Sequence, residues 1–206
     1  MIRQPPGWYR GSGAYVTERI YWNPLPMLAT AEGAPFGKNP LGTLKVLPPM
    51  REIFRGTWET RNWRNVPGPF YGADTDTCET GRMDAPDLVL YDDDGGEFVY
   101  RQPTDPAEVY RLLLAATAET FCGYAADGDE HWTPAEVRQW WRDRDRVLEW
   151  IRHTRATWDG DHQDMLKGLA EFEQHMEYDL EDYLRRYSFW LDNRRPSRLG
   201  ETLPDL

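Results

Sequence analysis

The sequence predicts an α+β fold: an N-terminal antiparallel β-rich part with a hairpin, followed by three helices, the last one long. Three observations carry this. Strand-like stretches and Pro/Gly-rich links fill roughly the first hundred positions. The first two helical stretches after them open on proline-containing cap signals. The last stretch carries an apolar stripe of helical period. Strands first and helices second is the α+β order, not the alternation of a doubly wound sheet.

The elements follow in chain order. Eight prolines between Pro5 and Pro49 disfavour helix at the start. "AYVTERIYW" (14–22) and "TLKVL" (43–47) are strand candidates, with a loop over 23–42. "EIFRGTWETRNWRNV" (52–66) is ambiguous, because Gly56 interrupts β-favouring Thr and Trp. "VPGPF" (66–70) is a rigid turn, since Pro67 and Pro69 fix φ and cannot donate. "DLVLY" (87–91) and "EFVYR" (97–101) make the clearest strand pair, linked by the turn-forming "DDDGG" (92–96).

The first helix is expected over 105–119, with Asp105 as N-cap, Pro106 in the first turn and Glu108 three residues on. The second begins at Thr133, followed by Pro134 and by Glu136 closing a capping box. Val137, Trp141, Leu148, Ile151 and Trp158 fall roughly on one face of it, and the adjacent Trp140 and Trp141 cannot both be inward. The third, about 161–191, aligns Met165, Leu169, Phe172, Met176, Leu180, Tyr183, Tyr187 and Trp190. The tail, 193–206, reads as loosely held.

A chain of 206 residues suggests one domain, 1–206, able to bury a core without disulfide or metal. Within it, 1–64 is a Pro/Gly-rich β/loop segment, 65–152 a central core, and 153–206 the long C-terminal helix and tail. No apolar run is long enough for a membrane span, and "MIRQPPGWYRGSG" has no apolar signal region. With two cysteines, these features predict a cytoplasmic protein with free thiols.

Charge is lopsided. Residues 1–70 carry nine basic and four acidic side chains, whereas 71–110 hold eleven acids against Arg82 and Arg101. A net charge of −11 argues against binding duplex DNA or an anionic membrane. An acidic face suits a basic protein partner, a cation, or plain solubility.

Two acidic loops, "YGADTDTCETG" (71–81) and "FCGYAADGDEHWTP" (121–134), hold the candidate chemistry. As a partner surface they would offer Asp74, Asp76, Asp127, Asp129 and Glu130, joined by Asp92, Asp93 and Asp94 of the hairpin turn. Trp132 or Trp140 would serve as an apolar anchor. As a catalytic site, Asp76, Cys122 and His131 are the candidates. As a metal site, Cys78, Cys122 and His131 form a soft, zinc-like set, but neither cysteine has a C-x-x-C partner. The aspartates lack the glycine and distal glutamate of a calcium loop. No nucleotide-binding or hydrolase motif is present, and no cofactor is expected.

The stretches "NVPGPFYGADTDTCETG", "APDLVLYDDDGGEFVYRQP" and "GYAADGDEHWTPAEVRQWWRDR" resemble a group of uncharacterised bacterial proteins, a likeness covering about 65–152. Some of these carry the label ferredoxin, which two cysteines contradict, because cluster ligation takes about four. The resemblance carries no catalytic residue. The wider profile, acidic, Trp-rich and without a catalytic signature, resembles immunity proteins of bacterial toxin systems. That likeness implies a non-enzymatic binder neutralising a basic toxin domain, with its oligomeric state left open. The alternative is a small enzyme or metalloprotein built on the 74–78 and 122–131 loops.

Overall fold

The computed structural model describes residues 50–158 and 163–206. The strand candidates at 14–22 and 43–47, and the loop between them, lie outside these residues. The ambiguous 52–66 stretch contains the end of a short helix, α1 (Met50–Ile53), and one turn of 3-10 helix at Trp58–Thr60. Then follow β1 (Tyr71–Gly72), α2 (Gly81–Asp84), β2 (Val89–Tyr91), β3 (Glu97–Val99), α3 (Pro106–Ala118), β4 (Tyr124–Ala125) and α4 (Gly128–His131). The chain closes with α5 (Pro134–Arg142), α6 (Asp145–Thr157), α7 (Gln163–Tyr178) and α8 (Leu180–Asn193). The α+β class holds, with two small antiparallel sheets and a long helical C-terminal half.

The hairpin forms where the sequence predicts it. Val89 faces Val99, Leu90 faces Phe98 and Tyr91 faces Glu97. The Asp92 amide donates to Gly96 O at 2.9 Å, and Gly95 takes φ +84°, which glycine adopts without a Cβ clash. Helix α7 covers β2, while β1 runs beside β3. That last approach requires Gly72: a Cβ there would stand 2.0 Å from the Glu97 carbonyl oxygen.

Both predicted cap signals operate. Asp105 accepts from the Glu108 amide at 2.9 Å. Thr133 and Glu136 close a reciprocal box, with Thr133 N donating to Glu136 Oε2 at 2.9 Å and Glu136 N donating to Thr133 Oγ1 at 3.3 Å. The predicted second helix is broken at 143–144, into α5 and α6. Arg144 explains how the break is tolerated. Its guanidinium donates to the Trp141 carbonyl at 2.7 Å and lies 4.0 Å from the centroid of the Trp141 ring, satisfying a helix-end acceptor. Adjacent helical positions do not share a face, and it is Trp140 that is buried, not the Trp141 of the expected stripe, which is half-buried along with Leu148 and Trp158.

The long last helix is present as α7 and α8, which meet at Asp179. Helical bonds persist across the junction, from Asp179 N to His175 O at 3.1 Å and from Tyr183 N to Asp179 O at 3.2 Å. Of its predicted stripe, Met165, Leu169, Phe172, Met176, Leu180 and Tyr187 are buried. Tyr183, Tyr187 and Trp190 stack ring on ring, nearly parallel. The tail departs from expectation. Arg185 donates to the carbonyls of Pro204 and Leu203, Arg195 pairs with both oxygens of Glu201, and Leu206 packs against the core. No helix among the described residues is long and apolar enough to cross a membrane.

One buried base in α7 gives a pH prediction. His175 is pushed down to about 4 by burial and then by the Arg101 charge. The Asp179 carboxylate, 3.9 Å away, sits mostly in water and does not offset this. Between about pH 4 and 6.5 the unfolded chain therefore binds the extra proton. Stability should be full above pH 6.5 and fall by about 3 kcal/mol as pH drops towards 4. Denaturant unfolding of His175→Leu across this range should show a shallower slope than wild type. Equal slopes would refute the assignment.

Candidate functional site

The two acidic loops do meet. Strand β1 leaves the first loop and β4 lies in the second, and they pair with Tyr71 opposite Ala125 and Gly72 opposite Tyr124. The approach is close enough that a Cβ on Gly123 would lie 2.5 Å from Asp74 O. Backbone groups forced together this way need acceptors, and buried carboxylates supply them.

Three acids do this work. Asp76, 3% exposed, takes the Cys78 amide on one oxygen at 2.8 Å and the Thr120 amide on the other at 2.7 Å. Glu119 reaches back, accepting from Asp76 N at 2.6 Å, Phe121 N at 3.0 Å and Gly123 N at 2.5 Å. Glu97, fully buried, accepts from Gly81 N at 2.7 Å and Tyr124 Oη at 2.6 Å. Burial pushes the Asp76 carboxyl up, but its amide donors outweigh that and hold it below the ordinary range. Burial dominates at Glu97 and raises it, against its Tyr124 and Gly81 donors and with the Asp76 and Glu119 charges adding.

This arrangement corrects several expectations. Asp76 cannot serve as a contact residue or a general base, because burial and backbone bonds occupy it. Asp129 is likewise buried and accepts from Tyr187 Oη at 2.8 Å. Trp132 and Trp140 are core residues rather than exposed anchors. Trp132 meets the Trp58 ring edge-on at 5.0 Å. His131 stacks flat on Trp58 at 4.9 Å, with Nε2 3.3 Å from Asp127. Asp127 also accepts from Tyr71 Oη at 2.7 Å.

The catalytic trio Asp76, Cys122 and His131 is not assembled by any shared contact. The metal set Cys78, Cys122 and His131 fares no better. Among the described residues, no three His, Cys, Asp or Glu side chains converge as ligands. Cys78 is exposed, and the Asp76 charge and hydrogen bond raise its thiol, the opposite of what a nucleophile needs. Cys122 is half-buried and takes φ +57°.

The hairpin turn is less free than its sequence suggests. Asp92 accepts from the Gly96 amide at 2.8 Å and from Asn62 at 2.7 Å. Asp93 is held by Arg64 at 2.7 Å and by the Trp150 indole at 2.9 Å. Arg64 itself lies 4.4 Å from the Trp63 centroid and 4.5 Å from that of Trp150. Asp93 and Asp94 are exposed, as are Asp74 and Glu130. Of the ten predicted contact residues, these four are exposed, and Asp93 among them is also tied inward to Arg64 and Trp150.

Sequence reasoning missed Glu97, Glu119 and two exposed apolar residues, Met83 and Phe121. Glu119 did carry a signal. It caps the C-terminal end of α3, where the helix dipole disfavours an acid, so another source of donors was implied. No protein-family model, curated protein or solved structure matches the chain.

Two predictions follow from these contacts. Asp76→Asn leaves one loop amide facing an NH2 group, and should cost about 1–3 kcal/mol in denaturant unfolding. The wild-type carboxyl, depressed in the fold, loses its stabilisation as pH falls below about 4. The variant should lack that component, and an unchanged acid limb would refute the staple. Separately, Arg64→Met should cost about 1–2 kcal/mol by removing the Asp93 ion pair and the guanidinium that lies over Trp63 and Trp150. Indole fluorescence during unfolding would report it.

Proposed function

We propose that this chain is a non-enzymatic binding protein that engages a basic protein partner in the cytoplasm, as an immunity protein neutralising a toxin domain. One observation supports this above others. Asp76 and the neighbouring Glu119 are turned onto backbone amides, Asp129 accepts from a tyrosine hydroxyl, and His131 and Asp127 are engaged by Trp58 and Tyr71, while Asp74, Glu79 and Glu130 leave the exposed side of the loops acidic. A hydrolytic site needs an accessible carboxylate or thiolate with a spare lone pair. Here Asp76 and Glu119 have their oxygens taken, and the Cys78 thiol is raised rather than activated.

Electrostatic attraction would set the association rate, and a desolvated apolar contact would slow release. The test uses purified products of the reading frames flanking this chain's gene, in catalytically inactive form. Surface-plasmon kinetics should find one basic product that binds tightly. Its association rate should fall at least about 10-fold between 50 and 500 mM salt, with dissociation changing far less. Binding that is indifferent to salt, or no binding by any flanking product, would overturn the reading.

A further inference from the structure

Of the five large apolar residues exposed among the described residues, two, Phe121 and Met83, lie on the elements held by the buried carboxylates. Phe121 is 66% exposed and Met83 82% exposed. Phe121 directly follows α3, and Met83 lies on α2, which packs against α3. Both belong to the junction that the buried carboxylates hold together: the Phe121 amide donates to Glu119, and the Gly81 amide to Glu97. Large apolar side chains turned to water on stapled loops are costly to keep and cheap to bury on a partner.

The charge around them is one-sided. Asp74 and Glu79 are exposed, and Asp84 is half-exposed. The one arginine within 74–84 and 117–122, Arg82, is buried and bonded to Asp164, Pro86 and Val89. Among the described residues, Arg55, on the segment bonded to Cys122, is an exposed cation brought alongside, and Asp74, Glu79 and Asp84 outnumber it. Two copies meeting face to face here would set acid against acid, which disfavours that pairing.

We infer that the α2/α3 end, which carries Phe121 and Met83, is the docking face, and that its occupant is a basic protein segment with an apolar side chain that covers Phe121. This rests on the binding-protein reading above and specifies its surface. The hairpin turn, previously the foremost acidic feature, becomes peripheral, since Asp92 and Asp93 already have internal counterparts.

A peptide library displayed on phage, panned on the full chain at low salt, provides the probe. Enriched peptides should combine Lys or Arg with an aliphatic or aromatic residue. Synthetic versions should bind Phe121→Ala at least about 30-fold more weakly. Asp74→Lys should slow their association, while Asp94→Lys and Leu199→Ala act as controls and leave binding within about 3-fold. Thermal midpoints within a few degrees of wild type would show that Phe121→Ala remains folded. Peptides that ignore Phe121→Ala, no enrichment over panning on that variant, or a dimer abolished by Phe121→Ala would each overturn the proposal. If a flanking gene product binds tightly and Phe121→Ala leaves that complex unchanged, the face is wrong and the binding reading survives. If no flanking product binds, the reading itself falls.

Discussion

The structure depends on one constraint: a core crossed by loops must find hydrogen-bond partners for backbone that has no sheet to join. The strands are two or three residues long, so ladder bonds satisfy little of the 62–80 segment. Side chains take over. Asn65 accepts from both Gly72 N and Val99 N at 2.9 Å, and its amide donates to Gly72 O. Gln102 accepts from Phe70 N and donates to Val66 O and Phe70 O. Asp76, Glu97 and Glu119 complete the set. Each buried amide left without such an acceptor would cost about 1–3 kcal/mol. That is a large share of the stability of an ordinary domain.

The same constraint redistributes charge. Eleven acids between 71 and 110 look like a strongly repulsive surface when counted along the chain. In the fold, Asp76 and Glu97 are buried as staples, Asp92 and Asp93 meet Arg64, Asp87 meets Arg111, and Glu108 meets Arg101. Two of those arginines, Arg64 and Arg111, come from outside the acidic stretch. Linear charge therefore overstated the acidic field at the hairpin. What remains uncompensated is local, and its position follows from which carboxylates the loops needed.

Legibility tracks the range of the physics involved. The caps at Asp105 and Thr133 and the hairpin turn at 92–96 are decided by residues within five positions, and each appears where the sequence placed it. The β1–β4 pair joins positions more than fifty apart through strands too short to show a period-2 pattern, so only the likeness of the two loops hinted at it. The breaks at 143–144 and 179 leave the apolar spacing almost intact, which hides them from a periodicity argument. Buried acids were the hardest. A carboxylate in the sequence reads as solvated by default, and only the tertiary supply of amide donors reverses that. Hence Asp76 and Asp129 were assigned outward, Trp132 and Trp140 were offered as anchors, and Glu97 and Glu119 went unnoticed.

Two backbone outliers tie the staples to the exposed face. Glu79 and Cys122 both adopt left-handed φ, at 56° and 57°, without being glycine. Such conformations persist only where surroundings over-determine them. Glu79 is held by the Tyr91 hydroxyl, which donates to its carbonyl at 2.6 Å, and that hydroxyl in turn accepts from Arg82 N. Cys122 is fixed from both sides, its amide donating to Glu119 O and its carbonyl accepting from Arg55 N at 2.8 Å. A buried hydroxyl at Glu79 and backbone partners at Cys122 thus hold the chain in turns it would not choose, four positions before Met83 on one loop and next to Phe121 on the other. Side chains carried on backbone held this firmly have little main-chain entropy left to lose when covered, which is the condition under which a small apolar contact contributes most to binding.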